Sequence, residues 1–418
     1  VFYHYDTAGR MDWTRDALGR YSYFTYDEFG NAKTVTDRNG NVTTYTSDEL
    51  NMRTQVKNAL NGDTGFSYAE DGNMTARTDA NGHVTGWTYD KINRVLTEMD
   101  HLGNTTTYEY SPVSDTHRWT RVIDPRGNTQ TSHFDILNRL DRTEDAFGIF
   151  EYFSYDANRN LTAYTDKNGN TQTYTYERAT RLKTKTDALG NTTTYLYNDA
   201  GNLTGEINPR GFQTVYGYDN LHRRTDVADA LGNNSHFEYD ATGNLLSTTN
   251  PRGFSIVYSY NENYWLTGVE DALLQNTGYT YDNEGNVLII TDRNGKITSF
   301  SYDALNRMTL KTNALNLPAS FSYDAVGNRT GVTDENNHQT TFTYNEINRL
   351  ITQTDAKGFT TGFEYDTAGN LITQTDPMNN GTSYGYDFLN RRTSITNALG
   401  YTTGLSYDNA GNLTTATD

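Results

Sequence analysis

An aromatic residue followed by an acid or amide returns every 21 residues along this chain, and that period constrains the fold more than any other feature. The pair is Tyr-Asp at Tyr5, Tyr26, Tyr89, Tyr155, Tyr218, Tyr239, Tyr281, Tyr302, Tyr323, Tyr365, Tyr386 and Tyr407. Degenerate versions fill the remaining slots at Ser47, Tyr68, Tyr110, Phe134, Tyr176, Tyr197, Tyr260 and Tyr344, giving twenty anchors. The single break in register lies between Tyr110 and Phe134, which are 24 residues apart, so three surplus residues fall within 111–123.

A second anchor runs in step about 11 residues later, from Asp16, Asp37 and Asn58 to Asn397 and Asp418. It heads turns such as Asp37-Arg-Asn-Gly-Asn and Asp187-Ala-Leu-Gly-Asn. Between the turns lie short alternating stretches. In Asn191-Thr-Thr-Thr-Tyr-Leu-Tyr197, residues Thr193, Tyr195 and Tyr197 share one face. Period two with β-branched and aromatic residues predicts strands, and no 3.6-residue period is sustained. Each unit is therefore expected to be a β-hairpin, and twenty of them predict an all-β ribbon of about forty strands. At about 4.8 Å per strand the ribbon is roughly 190 Å long. A sheet of that length must bend. Closed in one turn it would be about 60 Å across, too wide for side chains to fill, so a hollow shell or tube is expected. Residues 1–418 read as one continuous array, cut from a longer polypeptide, with its only irregularity at 111–123.

From Tyr176 onward the first turn alternates between two kinds. One ends Leu-Asn-Arg or Ile-Asn-Arg (Leu305-Asn306-Arg307, Ile347-Asn348-Arg349, Leu389-Asn390-Arg391); the other carries Gly-Asn (Gly285-Asn286, Gly327-Asn328, Gly369-Asn370). Neighbouring hairpins thus differ in role over a 42-residue super-period, with one kind placed to point an Arg at its neighbour's acidic turn.

Composition bounds the partners. A net charge of −18 argues against nucleic acid and anionic membrane surfaces. The absence of Cys excludes disulfides and thiolate metal sites, and no apolar run reaches the length of a membrane span. Hydrophobic residues make up 34% of the chain, yet 33 are Tyr, whose apolar ring and polar tip let a sheet cohere without a thick aliphatic interior.

The motif Tyr-Asp-x-x-Gly-Asn-Leu followed by Thr-Asp-x-x-Gly-Asn-x-Thr-x-Tyr-x-Tyr-Asp resembles the YD-repeat, or RHS, family over the whole chain. That family includes the toxin-complex C component, bacterial Rhs polymorphic toxins, wall-associated competition toxins and animal teneurins. The resemblance implies a secreted or surface-exposed bacterial wall segment, built as a β-cocoon, that encloses or presents a polypeptide such as a toxin domain. Such cocoons end in paired Asp-Pro-x-x-Gly motifs that cleave themselves. Asp124-Pro125-Arg126-Gly127 and Asp376-Pro377 occupy the ordinary second-turn slot instead, as do Asn208-Pro209-Arg210-Gly211 and Asn250-Pro251-Arg252-Gly253, where Pro fixes φ.

No catalytic, cofactor-binding or metal-binding residues are assigned, and the chain reads as non-enzymatic. Its Asp residues recur in near-identical turns, where they bond their own backbone, whereas catalysis needs carboxyls in contrasting environments. Weak calcium binding at Asp-rich turns such as Asp166-Lys-Asn-Gly-Asn170 and Asp292-Arg-Asn-Gly-Lys296 is the one ligand class these oxygens suit, although they lack the bidentate Glu of an EF-hand. His101, His117, His133, His222 and His338 have no metal-ligand spacing. The tyrosines are expected to form cross-strand aromatic ladders, and Trp13, Trp87, Trp119 and Trp265 share no register that would build a sugar platform, so carbohydrate is not an expected ligand. The expected partners are an enclosed polypeptide cargo or other copies of the chain. The alternative function is an extracellular structural tube, filament or adhesion stalk wound from the same ribbon.

Overall fold

Most turns in the array are closed by one device, seen first at Asp6. Its Oδ1 accepts the N–H groups of Ala8 (2.8 Å) and Arg10 (2.9 Å), and Gly9 N–H bonds the Asp6 carbonyl (2.9 Å). The fourth residue then needs a positive φ, which Gly9 supplies at 77° and Asn306 at 61°. The fifth residue completes the clasp on Oδ2: Asn41 Nδ2 reaches Asp37 (2.9 Å), and Arg307 Nε reaches Asp303 (2.8 Å). One carboxylate thus organises five residues.

Between these turns the described residues of a computed structural model, 1–178 and 180–418, form 40 strands of one sheet, from Phe2–Tyr5 to Leu413–Thr417, with no helix among them. Pairing is antiparallel throughout the described ladders, and each strand pairs with its neighbours in sequence. We number the hairpins 1 to 20. Hairpin 1 joins Phe2–Tyr5 to Met11–Arg15 across its first turn at Asp6, and its second turn, at Asp16, leads into hairpin 2.

The two turns differ. At the first, His4 faces Trp13 but Tyr5 faces Met11, so Asp12 is bulged; the same slip precedes Tyr26, Tyr155, Tyr302 and Tyr407. At the second, the register from Trp13↔Tyr23 to Arg15↔Tyr21 is unbroken. A bulge on one edge only adds local twist and bend in the same sense at each such hairpin. Hairpin 6 is the exception. Its ladder runs without a slip from Thr107↔Ile123 to Tyr110↔Thr120, and the surplus residues form a loop over 111–118. The loop is tied at its base by Ser111 N–H to the Trp119 carbonyl (3.0 Å) and by Trp119 N–H to Ser111 Oγ (3.1 Å). The irregularity is thus a protruding loop and not a bulge.

Tyrosine does not act mainly by aromatic ladders, contrary to the sequence expectation. Consecutive anchors lie two strands apart, roughly 9.6 Å, too far to stack. Instead the anchor hydroxyl donates to a backbone carbonyl of the preceding hairpin, as Tyr89 to Met74 (2.8 Å), Tyr218 to Leu203 (2.8 Å), Tyr302 to Val287 (2.9 Å) and Tyr323 to Met308 (2.8 Å). The Arg of the Asn-Arg turn covers the next anchor ring: Arg307 lies 4.7 Å from the Tyr323 centroid, and Arg391 lies 4.9 Å from that of Tyr407. These contacts explain the 42-residue super-period. Arg307 Nη1 also donates to the Asp324 carbonyl (3.0 Å) in the next turn, while Asn286 and Asn328 of the Gly-Asn turns donate to Asn306 and Asn348 (2.7 Å each). Each turn kind therefore holds its successor by a different hand.

Packing is thin. Ala319 is the one hydrophobic residue classed as buried among the described residues, and no large side chain is fully buried. The chain forms two compact units: Val1–Thr105 with Tyr258–Tyr365 and Thr373–Gly381, and Thr106–Val257 with Asp366–Ile372 and Thr382–Asp418.

Candidate assembly seam

A single-layer ribbon has two edges lined with turns, and in each unit the two kinds of edge meet. In the first unit, second turns of early hairpins lie against first turns of late ones. Asn39 Nδ2 of hairpin 2 donates to Asp282 Oδ2 of hairpin 14 (3.0 Å), and Asn283 N–H returns a bond to Asn39 Oδ1 (3.2 Å). Asn81 of hairpin 4 makes the same bond to Asp324 of hairpin 16 (3.2 Å). In the second unit, Asn168 of hairpin 8 donates to Asp408 of hairpin 20 (3.0 Å) and accepts from Ala410 N–H (3.2 Å). The stagger is twelve hairpins in all three cases (2 to 14, 4 to 16, 8 to 20). The ribbon's edges thus return to one another after twelve hairpins, where closure by the whole array would have needed twenty.

Asp16 is the densest node. Only 3% exposed, it is clasped by Arg20 Nε (2.8 Å) and Nη2 (2.7 Å), and Asn263 Nδ2 of hairpin 13 reaches its Oδ2 at 2.7 Å. Ala17 N–H bonds Asn263 Oδ1 in return (3.0 Å). Burial pushes the Asp16 carboxyl up, but the Arg20 N–H, the Arg20 guanidinium and the Asn263 amide outweigh it and hold the pKa at about 2. Arg20 spans the seam as well: its guanidinium lies 4.5 Å from the Trp265 ring, and its Nη1 donates to the Asp282 carbonyl (3.0 Å).

The second unit uses Arg126 and an aromatic pair. Arg126 Nη1 donates to Asn390 Oδ1 (2.8 Å) and to the Asp387 carbonyl (3.4 Å), and its Nε lies 3.5 Å from Asp366 Oδ2. The guanidinium therefore sits between the first turns of hairpins 18 and 19. Phe147 meets Phe388 edge to face at 6.0 Å, with Arg391 5.7 Å from the Phe147 ring.

The candidate residues read from sequence are dispersed along the ribbon. Asp124 accepts the N–H groups of Arg126 and Asn128, and Asp376 those of Met378 and Asn380, both in ordinary second turns. Asp166 is engaged by three donors from Asn168 and Asn170; Asp292 accepts Asn294 and Lys296 N–H. His101 accepts from Val84 N–H, His133 faces Glu144 at 3.6 Å, His222 meets Asn202, His338 meets Asp334, and His117 meets Thr116. No group of three or more His, Cys, Asp or Glu residues suited to a metal occurs among the described residues. Of the tryptophans, Trp13 stacks on His4 (4.9 Å), Trp119 lies beside Arg121 (5.2 Å), Trp87 pairs with Glu98 across the sheet, and only Trp265 enters the seam. Sequence reasoning passed over the seam residues Arg20, Asn39, Asn81, Arg126, Asn168 and Asn263. The one signal they offered was a polar third or fifth position in a turn whose backbone was already satisfied.

Comparison with known proteins agrees with this architecture. The Teneurin YD-shell family model matches residues 235–418, and the RHS Repeat model matches 26–63, 68–101, 155–192, 176–213 and 197–233. No curated protein matches the sequence. The fold is similar to that in the crystal structure of TcdB2-TccC3-Cdc42 (TM-score 0.70, 15% identity, covering 94% of this chain and 26% of that one). It is also similar to TcdB2-TccC3 without its hypervariable C-terminal region (0.66, 17%, 95% and 25%) and to TcdB2-TccC3 (0.63, 15%, 99% and 32%). The chain thus spans about a quarter to a third of the length of those structures. Between them the two family models match residues 26–63, 68–101, 155–233 and 235–418, and the protein belongs to the YD-repeat, or RHS-repeat, family.

Proposed function

We propose that this chain is a non-catalytic wall segment of an exported bacterial shell, and that the shell isolates a polypeptide guest by steric exclusion. The observation that carries this reading is the seam. Where one edge of the ribbon lies against the other, in both units, its turns bond each other instead of standing as two exposed rims, as a wall requires. The turns already satisfy their own polar groups, so what the wall offers is a barrier and not a reactive centre. The family relationship supports a structural shell role, and the structural neighbours support a polypeptide partner.

The test is protection. A protease-sensitive, unstructured polypeptide fused after Asp418 should survive trypsin far longer than the same polypeptide fused to an unrelated domain, and should be digested at once when the seam is opened by Asp16→Lys and Asn168→Lys. Digestion at the control rate in the parent fusion would overturn the shell reading. A second reading, an open tube or filament, is favoured by the constant stagger of twelve hairpins, which lets the same contacts recur along a longer ribbon.

A further inference from the structure

Two carboxylates are buried among the described residues, Asp16 at 3% exposure and Asp145 at 7%. Both head second turns, yet they are satisfied differently. Asp16 Oδ2 is clasped by Arg20, the fifth residue of its turn, and by Asn263 across the seam. The other turn reads Asp145-Ala-Phe-Gly-Ile149, and its fifth residue has no side-chain donor. Asp145 Oδ1 accepts the N–H groups of Phe147 and Ile149 (3.0 Å each), while Oδ2 has no hydrogen-bond partner. At Asn58, Asn208, Asn250 and Asn313, where the fifth residue likewise lacks a side-chain donor, the head of the turn is an uncharged amide. Asp355 keeps its charge beside a fifth-position Phe359, but it is exposed. Asp145 is thus a buried carboxylate without the clasp its turn ordinarily provides.

Against that bare oxygen stands Lys167, the second residue of the next second turn, with Nζ 2.9 Å from Oδ2 and its side chain 20% exposed. Arginines make the same step back elsewhere: Arg38 Nε lies 3.5 Å from Asp16 Oδ2, and Arg293 Nη1 lies 3.9 Å from Asp271 Oδ2. A guanidinium stays charged and offers no nucleophilic lone pair, whereas an amine offers one once its proton is gone. Lys167 therefore differs in kind from its counterparts. The seam closes over the pair. Leu389 and Arg391 of hairpin 19 and residues 409–411 of hairpin 20 line, with Glu144, Asp145 and Lys167, a cavity of about 280 Å³.

From this contact we propose that Lys167 and Asp145 condense to an intramolecular isopeptide bond that staples hairpin 7 to hairpin 8. The reaction starts from the minor neutral form of the pair, in which a Lys167 proton has passed to the carboxylate. Nζ then attacks Asp145 Cγ. The Phe147 and Ile149 N–H groups stay on Oδ1 and hold the negative charge that gathers there. Oδ2, which no hydrogen bond retains, is the oxygen that leaves. Relative to the ion pair, the carboxyl gives up one oxygen and the ammonium two hydrogens, and these depart as water. A C–N bond replaces a C–O bond, and nothing is oxidised or reduced. Contact between the partners removes the entropic cost of bringing them together, and the covering turns restrict the water that would compete. The bond would lock two neighbouring second turns beneath the seam, so the covered edge could not fray at that point.

The experiment is intact mass spectrometry of the 418-residue chain, held folded at neutral pH and then denatured, followed by peptide mapping. The chain is expected to be lighter than its sequence by one water, and its digest to contain a branched peptide joining the segment around Asp145 to that around Lys167. Lys167→Arg keeps the positive charge, as Arg38 does in its own turn, and should restore the full mass. A parent chain at full sequence mass overturns the proposal. So does a water loss that persists in Lys167→Arg or maps away from this pair, because dehydration at an Asp-Gly step such as Asp71-Gly72 gives the same mass. Should Lys167→Arg fail to fold, the presence or absence of the branched peptide in the parent decides alone. The mass is read without any guest, so a chain at full mass refutes the staple and leaves the shell reading standing.

Discussion

Replacing Asp16 by Asn should cost the first unit roughly 2.5 kcal/mol at pH 7 and remove an equal share of its acid sensitivity. A carboxyl brought from 3.8 down to about 2 is bound more tightly as the anion, by roughly 2.5 kcal/mol at about 1.4 kcal/mol per pKa unit. At 3% exposure little solvent screening reduces that figure. The sign follows from the direction of the shift. A depressed folded-state pKa contributes stability that is complete above the unfolded value near 4 and disappears as pH falls from there to about 2. In the Asn variant an amide N–H₂ would also face the Arg20 guanidinium and the Asn263 amide, three donors without an acceptor. The assay is urea unfolding of parent and variant at pH 7 and at pH 2, together with hydrogen exchange of the Ala17 and Arg20 amides, which bond Asn263 and Asp16. The difference between the two proteins isolates Asp16 from the other turn aspartates that titrate in the same range. A loss below about 0.5 kcal/mol at pH 7, or a gap between the proteins that does not shrink towards pH 2, would refute the reasoning.

Tyr302→Phe deletes one hydroxyl that bonds the Val287 carbonyl at 2.9 Å and should cost about 1 kcal/mol, read as faster exchange in hairpins 14 and 15; unchanged exchange would show that the ring alone carries the contact. Burial raises the Tyr281, Tyr302 and Tyr365 hydroxyls above 10.0, so the stability they add is present below that pH and lost as pH rises through their folded values. Ultraviolet titration should show a tyrosine fraction ionising only as the sheet unfolds. Gly285→Ala places a Cβ 2.9 Å from Trp265 at a φ of +98°, and should lower stability by about 2 kcal/mol through strain and displacement of the ring from Arg20; thermal unfolding at parent temperature would contradict this. Because the Asp166 and Asp292 turns already bond backbone and side-chain N–H groups, exchanging calcium for EDTA should move the melting temperature by less than about 1 °C, and a rise of several degrees with calcium would establish those turns as sites.

Much of the fold was legible because its determinants are local. The alternation in Thr192–Tyr197 and the Asx bonding of Asp187 to Leu189 and Asn191 act within a few residues, so period and turn chemistry were enough to count the strands and place the turns. The super-period hinted at Arg307 reaching Asp324, which the sheet realises one hairpin away. The role of the fifth turn residue was hidden, since Asn41 and Arg307 look like surface polarity until the backbone curls them onto Asp37 and Asp303. The seam was not legible at all. Asp37-Arg38-Asn39-Gly40 and Asp292-Arg293-Asn294-Gly295 are the same turn by sequence, yet Asn39 bonds Asp282 across the seam while Asn294 is exposed on a free edge. Which of them is covered depends on how many hairpins pass before one edge of the ribbon returns to the other. That number is set by small bends and twists summed over twelve repeats, none of them encoded in any single turn.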